Sequence, residues 1–515
     1  MQAPGAAAPP GPPLPSPPLR LPPRLQGLRQ SRLDVVGVAS VEGGELVRYL
    51  LAAGFTKVVG HDRQPDLESL RRAHALAHAG LAREERSARL AALLQGLSGL
   101  HLGPSYLEGV EEAELILPTQ AWFLSPANQP LQELQAQGRP FYSLIQAYLD
   151  LAPEAVVGVT GTHGKSTTTA MLAGMLQGSG HFQQVWLAGN DRHNRQALVE
   201  LALAAGPSCL VLEVSNRQLL QMDRAPRVSC LTNISPNHLD EHGGLQGYVE
   251  AKRRIFELPG CEVAVRNGED RMSLEGLGEL PDGIRELRFA FSAPGLDQLD
   301  GAFVSDGRLC VREGLAEEAR LEVRELSLPG RHNLANALAA LAGALAVLGR
   351  GEDLARAAAA LPRFRGLRHR IELVWQSAGV DYFDDLSSTT PQSTVAAVRA
   401  LGRECVLICG GDDKGIGFEE LAGLVGGSVA WVVLLPGAGG ERLAAELRQQ
   451  GRGESLRLVP DLAQAVELAR SLARPGQAVL LSPACPGFFS SHYREGGFRQ
   501  LLRSATSPRP RRPTG

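Results

Sequence analysis

Residues 156–159 (VVGV) form a short apolar run. It passes without a break into Thr160-Gly161-Thr162-His163-Gly164-Lys165-Ser166-Thr167 and then into the helical stretch TTAMLAGML. Few sequences constrain a fold as tightly. A buried strand must turn at once into a helix, and the two glycines let the backbone fold so that its N–H groups point inward. The helix start adds partial positive charge, so the loop is suited to phosphate. Lys165 can reach the terminal phosphates, and the Ser166 or Thr167 hydroxyl can ligate magnesium. The residue five before Gly164 is Val159 rather than glycine, so the common phosphate-loop pattern is met with glycines shifted to 158 and 161. The loop implies nucleotide binding and leaves the chemistry open.

The same strand-and-helix alternation runs through the chain. Residues 33–38 (LDVVGV), 44–54 (GELVRYLLAAG) and 57–62 (KVVGHD) read as a β-α-β start, and residues 67–97 as one long helix. Further strands are expected at 113–118, 209–215 and 229–235, and an Ala-Leu helix within 327–349. Strands recur at 382–385, 404–409, 430–435 and 478–482. The fold class is therefore α/β, as three successive units with mostly parallel sheets covered by helices. Ligands in such folds sit at the carboxyl ends of strands and between domains. Boundaries near Pro153 and residues 362–369 divide the chain into 31–150, 151–362 and 363–504. A proline-rich leader over 1–30 and a basic tail over 505–515 are expected to be disordered.

Composition narrows the function classes. At 44% hydrophobic and 21% charged residues, the chain can build sizeable cores. Its 52 basic and 55 acidic residues nearly balance, which argues against a bulk nucleic-acid binder or a membrane-surface patch. Seven scattered cysteines with no C-x-x-C pair suit a reducing, cytoplasmic setting rather than a zinc knuckle. No apolar run is long enough for a membrane span.

Four more segments carry candidate chemistry. Glu213 ends the strand in LEVSNRQLL, a place where a carboxylate can hold magnesium. TNISPNHLDEHGG sets Asn233, His238, Asp240 and His242 after another strand, facing a metal or phosphate or simply satisfying one another. Lys252 follows on a short helix in YVEAKRRIF. RGLRHRIELV and VDYFDD place Arg370 and Asp385 on a turn-strand unit, the arginine suited to phosphate and the aspartate to ribose hydroxyls.

Taken together, these segments resemble the Mur ligases, ATP-dependent amide-forming enzymes of peptidoglycan precursor synthesis, and within them the branch that adds D-glutamate. The resemblance rests on VTGTHGKSTTTA, LEVSNRQL, TNISPNHLDEH with Lys252, LPGRHNLANALAA, FRGLRHRIE, DDLSSTTP, CGGDDKG and LLSPAC. It covers about residues 155–485 and is weak over 31–150.

The resemblance implies a Rossmann-like first domain for a UDP-linked substrate, a central phosphate-loop domain and a Rossmann-like third domain for the amino acid. It implies ATP and magnesium, with UDP-N-acetylmuramoyl-L-alanine and D-glutamate as substrates, in a cytoplasmic enzyme acting as a monomer. Glu213, His238, a loop hydroxyl and Lys252 would hold magnesium, the lysine as a carbamate. Gly161, Thr162, His163, Gly164, Lys165, Ser166 and Thr167 would cradle phosphates. Asn333 and Asn336 would meet the adenine side, and Arg370 and Asp385 would close over phosphate and ribose. Asn190, Ser215, Gln218, Thr389 and Lys414 would meet the substrates. The chain departs from the family at Asn237, at AGNDR around Asn190, at Ser387, at Gly487, and in the degenerate first glycine loop GVASVEGGE. A ligase for another amino acid, or a nucleotide-binding protein without ligase chemistry, are the alternative readings.

Overall fold

The structure, a computed structural model, describes residues 19–78, 81–190, 196–236, 241–296, 298–328, 330–413, 415–488 and 497–504. Three sheets follow one another along the chain. The first holds β1 (Leu33–Val36), β2 (Val58–Asp62), β3 (Gly99–Leu102) and β4 (Leu115–Pro118), in the order β3-β2-β1-β4 and parallel throughout.

The central sheet contains β5 (Ala155–Thr160), β6 (Gln184–Gly189), β7 (Ser208–Glu213), β8 (Val228–Leu231), β9 (Val263–Asn267), β10 (Arg285–Phe289), β11 (Asp300–Ser305), β12 (Arg308–Glu313) and β13 (Ala316–Glu322). Its order is β13-β12-β11-β10-β9-β8-β5-β7-β6. β5, which leads into the glycine loop, lies between β7 and β8 and is shielded on both edges. Only the β11-β12-β13 margin is antiparallel, and the sequence reading did not resolve these short polar-alternating strands.

The third sheet joins β14 (Glu372–Ser377), β15 (Val380–Asp384), β16 (Cys405–Gly410), β17 (Val429–Leu434), β18 (Leu456–Leu458) and β19 (Ala478–Ala484) in the order β14-β15-β19-β16-β17-β18. It is parallel apart from the β14-β15 hairpin. The fold class is thus α/β with parallel-rich sheets, as the alternation implies.

Two expectations need correction. The helix read over 67–97 is two helices, Leu67–Ala77 and Arg83–Gly96. The sequence places Gly80, a poor interior helix residue, between them. Nor is the leader disordered over all of 1–30. Leu25 is fully buried, Arg20 N–H donates to Ala202 O (3.1 Å), and Tyr49 Oη donates to Arg20 O (2.6 Å). Proline-rich composition argued against a core, but these residues lie in the seam between the first two domains. Residues 1–18 and 505–515 lie outside the described residues.

Candidate active site

After β5 the chain crosses Gly161 (φ 143°) and Gly164 (φ 83°) before the helix Lys165–Gly178 begins. Neither glycine tolerates a side chain. A Cβ at Gly161 would lie 2.0 Å from Thr232 Oγ1, and one at Gly164 would lie 2.3 Å from Asn336 Oδ1. No side chain caps the helix start, which leaves its first N–H groups available to an anion. Asn233 ties the loop down. Its Oδ1 accepts from His163 N–H (3.0 Å) and its Nδ2 donates to His163 O (3.0 Å). His163 thus enters the site through its backbone, while its side chain is exposed. Thr162 and Ser166 are buried, and Thr167 is half-buried.

Lys165 folds over the loop and donates to the carbonyls of Gly161 and Thr162, both at 3.1 Å. Burial pulls its pKa below that of a free lysine. Glu213 opposes the fall, and Arg370 adds to it. Lys252, on the helix Leu245–Glu257, is 1% exposed. Its Nζ donates to Thr160 Oγ1 (2.9 Å) and lies 5.5 Å from the Tyr248 ring centre. Burial drives its pKa well below the lysine range, the charge of Lys165 pushes the same way, and Glu213 resists. Two lysines and one carboxylate therefore share one small space at the ends of β5 and β7.

Glu213 has an asymmetric carboxylate. Oε1 accepts from Asn190 Nδ2 (3.1 Å), while Oε2 is buried and meets no hydrogen-bond partner among the described residues. An orphaned buried oxygen of this kind fits a hard cation such as magnesium. Among the described residues no three His, Cys, Asp or Glu side chains gather for a metal. His238 lies outside the described residues, as do Asn237 and Lys414.

The first domain closes this space from the other side. Gln120, in the loop after β4, donates to Asn190 Oδ1 (2.9 Å) and accepts from Ser215 Oγ (2.5 Å). A cavity of about 110 Å³ remains, lined by Gln120, Gly161, Lys165, Asn190, Ser215 and Arg217. Gln218 does not open onto it. Its carboxamide caps its own helix at Ser215 and donates to Glu42 Oε1 (2.9 Å). Burial raises the pKa of Glu42, and the bonds from Gln120 N–H and Gln218 offset this in part.

The third domain brings Arg370, exposed and near enough to Lys165 to affect its protonation. His369 (φ 61°) and Ile371 (φ 47°) flank it in left-handed backbone, a strained arrangement for a β-branched residue. Asp385 helps hold that turn by accepting from Ile371 N–H (3.2 Å) and Ser482 Oγ (2.8 Å). Its burial pushes its pKa up to about 7, against those hydrogen bonds. Asn336 is buried and accepts from Thr168 Oγ1 (3.3 Å), while Asn333 is half-buried one turn earlier. A cavity of about 580 Å³ lies at this helix start, lined by Phe291, Leu326, Leu328, Arg331 and Leu334. Thr389 is half-buried beside Ser387, whose carbonyl accepts its N–H (3.1 Å).

Comparison with known proteins adds the family. The Mur ligase middle domain matches residues 159–344, and the Mur ligase glutamate ligase domain matches 369–485. A UDP-N-acetylmuramoylalanine--D-glutamate ligase of Symbiobacterium thermophilum is 34% identical over 465 residues, covering 89% of this chain and 94% of its own length. The chain belongs to the Mur ligase family. Another protein of that name, from Rubrobacter xylanophilus, is 38% identical over 78% of this chain and 86% of its own. Among solved structures, the UDP-N-acetylmuramate-alanine ligase of Thermotoga maritima shares the Mur ligase fold. Its TM-score is 0.57 at 19% identity, over 92% of this chain and all of that one.

For a Mur ligase the departure at Gly487 has a steric reason. Its φ is 74°, and a Cβ there would sit 1.9 Å from Asp412 Oδ2, so this chain holds a carboxylate where a side chain would project. The sequence reading singled out none of Glu42, Gln120, Thr160, Arg217 and Tyr248, although Thr160, Arg217 and Tyr248 stand inside the quoted segments. Thr160, Gln120 and Arg217 also lie at or just beyond the carboxyl ends of parallel strands.

Proposed function

We propose that this chain is an ATP-dependent ligase that joins D-glutamate to UDP-N-acetylmuramoyl-L-alanine. Residues 31–150 hold the UDP-linked substrate, 151–362 hold ATP and 363–504 hold the amino acid. The alanine carboxylate is a poor electrophile, so one of its oxygens attacks the γ-phosphorus of ATP and ADP leaves. The amine of D-glutamate then attacks the carbonyl carbon of the acyl phosphate. The C–N bond forms, phosphate leaves with the electrons of the C–O bond, and the amine loses a proton. The observation that carries this reading is the convergence of Lys165 and Lys252 on the glycine loop, with Arg370 near enough to act on Lys165, beside a Glu213 Oε2 that has no partner among the described residues. Such a site suits transfer of a charged phosphoryl group between carboxylate and nucleotide.

The chain's residues divide the work. Backbone N–H groups from Gly161 to Thr167 receive the phosphates, and Lys165 leaves its two carbonyls to meet the terminal one. Magnesium, when bound, neutralises phosphate charge. Glu213 and His238 would hold it together with Ser166. Lys252 serves it as a carbamate: its neutral Nζ adds to the carbon of CO2, one C–O π bond opens onto oxygen, and Nζ releases a proton. Asn333 and Asn336 meet the adenine side of the nucleotide, Asp385 meets ribose, and Arg370 meets phosphate. Asn190 and Ser215 flank the muramoyl-alanine end, and Gln218, which does not open onto the cavity, braces Ser215 from behind. Thr389 and Lys414 flank D-glutamate.

The test offers ATP, UDP-N-acetylmuramoyl-L-alanine and a panel of D- and L-amino acids to the purified chain. Phosphate release is expected only when D-glutamate and the UDP substrate are both present. Release with another amino acid alone would reassign the substrate, and nucleotide binding without dependent turnover would remove the ligase reading.

A further inference from the structure

Gln120 belongs to no motif, yet it links the first domain to the carboxylate at the centre of the site. The links form a directed chain, and backbone groups fix its direction. Ser215 N–H donates to Gln218 Oε1 (3.1 Å), so Gln218 Nε2 must face outward, where it donates to Glu42. Gln218 N–H donates to Ser215 Oγ (3.1 Å), so the Ser215 hydroxyl proton is free to point at Gln120 Oε1. Gln120 Nε2 is thereby turned to Asn190 Oδ1, and Asn190 Nδ2 to Glu213 Oε1. Gln120 is held at its backbone too, since its N–H donates to Glu42 Oε2 (2.7 Å). One amide reversed anywhere along this chain would set donor against donor or oxygen against oxygen.

We propose that Gln120 is a positioning residue that fixes the amide of Asn190 with its NH2 toward Glu213 Oε1, and so leaves Glu213 Oε2 free for the metal. This inference rests on the ligase reading, in which Glu213 is a magnesium ligand. Losing a partner that orients a ligand from behind typically costs about 10–100-fold in metal affinity. Because Gln120 stands on the loop after β4, the first domain acts on the metal side of the site with no side chain touching the metal. Among the described residues the two Asn190 amide atoms are engaged by Gln120 and Glu213: the Glu213 carboxylate can only accept, and Gln120 Nε2 adds the second constraint by requiring an oxygen at Oδ1.

Gln120→Glu tests the direction of the amide. The new carboxylate can still accept from Ser215 Oγ, but it also faces Asn190 Oδ1. Two carboxylates then compete for the Asn190 NH2, which is no longer committed to Glu213 Oε1. Gln120→Ala removes the constraint without adding charge. Manganese, as a probe for magnesium, is titrated by electron paramagnetic resonance into the chain with ATP, and metal-free ATP affinity is measured separately.

The expected result for Gln120→Glu is about tenfold weaker manganese binding with unchanged ATP affinity. Gln120→Ala is expected to weaken manganese binding less, also with unchanged ATP affinity. Manganese binding equal to or tighter than wild type in both variants overturns the proposal. Equal losses of manganese and ATP affinity also overturn it, as they indicate general damage. Should Gln120→Glu fail to fold, Gln120→Ala decides on the same two affinities. Wild-type turnover with D-glutamate is measured alongside. Its absence removes the ligase reading, while the manganese titration still judges Gln120.

Discussion

Lys165 lies close enough to Lys252 to disfavour its protonation, yet the site asks opposite things of the two lysines. Lys165 sits on the loop that faces phosphate and must stay a cation to serve there. Its two carbonyl acceptors are weak partners that a phosphate oxygen replaces. Lys165→Ala is expected to lower kcat by about 100-fold or more, roughly 3 kcal/mol of transition-state stabilisation, with an unchanged melting temperature. Turnover within tenfold of wild type would place this lysine outside the chemistry. Lys252 is fully buried with one hydroxyl partner, and burial favours its neutral amine. A neutral amine is the form that adds CO2. Lys252→Ala should lose most activity and regain part of it with short carboxylic acids, and removing bicarbonate should slow the wild-type enzyme. A 13C label from CO2 should appear on the wild-type chain and be absent from the variant. Indifference to both treatments would mean that the lysine acts as an ammonium.

The loops at the carboxyl ends of the strands carry the chemistry, and their steric demands differ in how openly the sequence writes them. Gly487 follows β19 in left-handed backbone, with Asp412 Oδ2 filling the place of a side chain. Gly487→Ser is therefore expected to destabilise the third domain by about 2–3 kcal/mol, from backbone strain and the displaced carboxylate. Adding Asp412→Gly should recover the part due to the clash, read as the midpoint of urea unfolding. No recovery would show that backbone strain is the whole effect. The glycine loop was legible because its function is a backbone function, and glycine, lysine and hydroxyl types at fixed spacing encode it directly. Glu213 was legible as an acid at a strand end. The strands β15, β16, β17 and β19 were legible as apolar runs between helical stretches. β11 to β13 were not, since their alternation is short and half polar. The break between the helices ending at Ala77 and starting at Arg83 was hidden by a run of good helix formers. Glu42, Gln120 and Gln218 could not be read as a set, because Glu42 meets the other two across 78 and 176 residues of sequence.

Across the whole molecule, the first and central domains share a large buried cluster beside smaller ones of their own, and the third domain's clusters are separate. Leu33 and Val47 of the first domain lie in the same buried cluster as Leu198, Leu210 and Ile255 of the central one. Polar links reinforce this seam: Glu45 accepts from Leu198 N–H (2.7 Å) and from Arg48, which also pairs with Glu200. The third domain's two clusters, from Val380 to Leu502, are self-contained. Thermal unfolding is therefore expected in two steps, one for the first and central domains together and one for the third. Asp385 gives the second step a pH signature. Its pKa is raised from 3.8 in the unfolded reference to about 7, chiefly because burial disfavours the charged form. The folded third domain thus holds this proton more tightly than the unfolded chain does. The associated stability is fully present below the unfolded pKa and is lost as pH rises through about 7, amounting to at most about 4 kcal/mol. Asp385→Asn carries no titrating proton at this place. Calorimetry at about pH 5 and about pH 8 should show the third-domain transition of wild type falling relative to that of Asp385→Asn, while the other transition moves equally in both proteins. Parallel behaviour of the third-domain transition in the two proteins would mean that Asp385 titrates as an ordinary carboxylate. A shift in both transitions would mean that the third domain unfolds together with the rest.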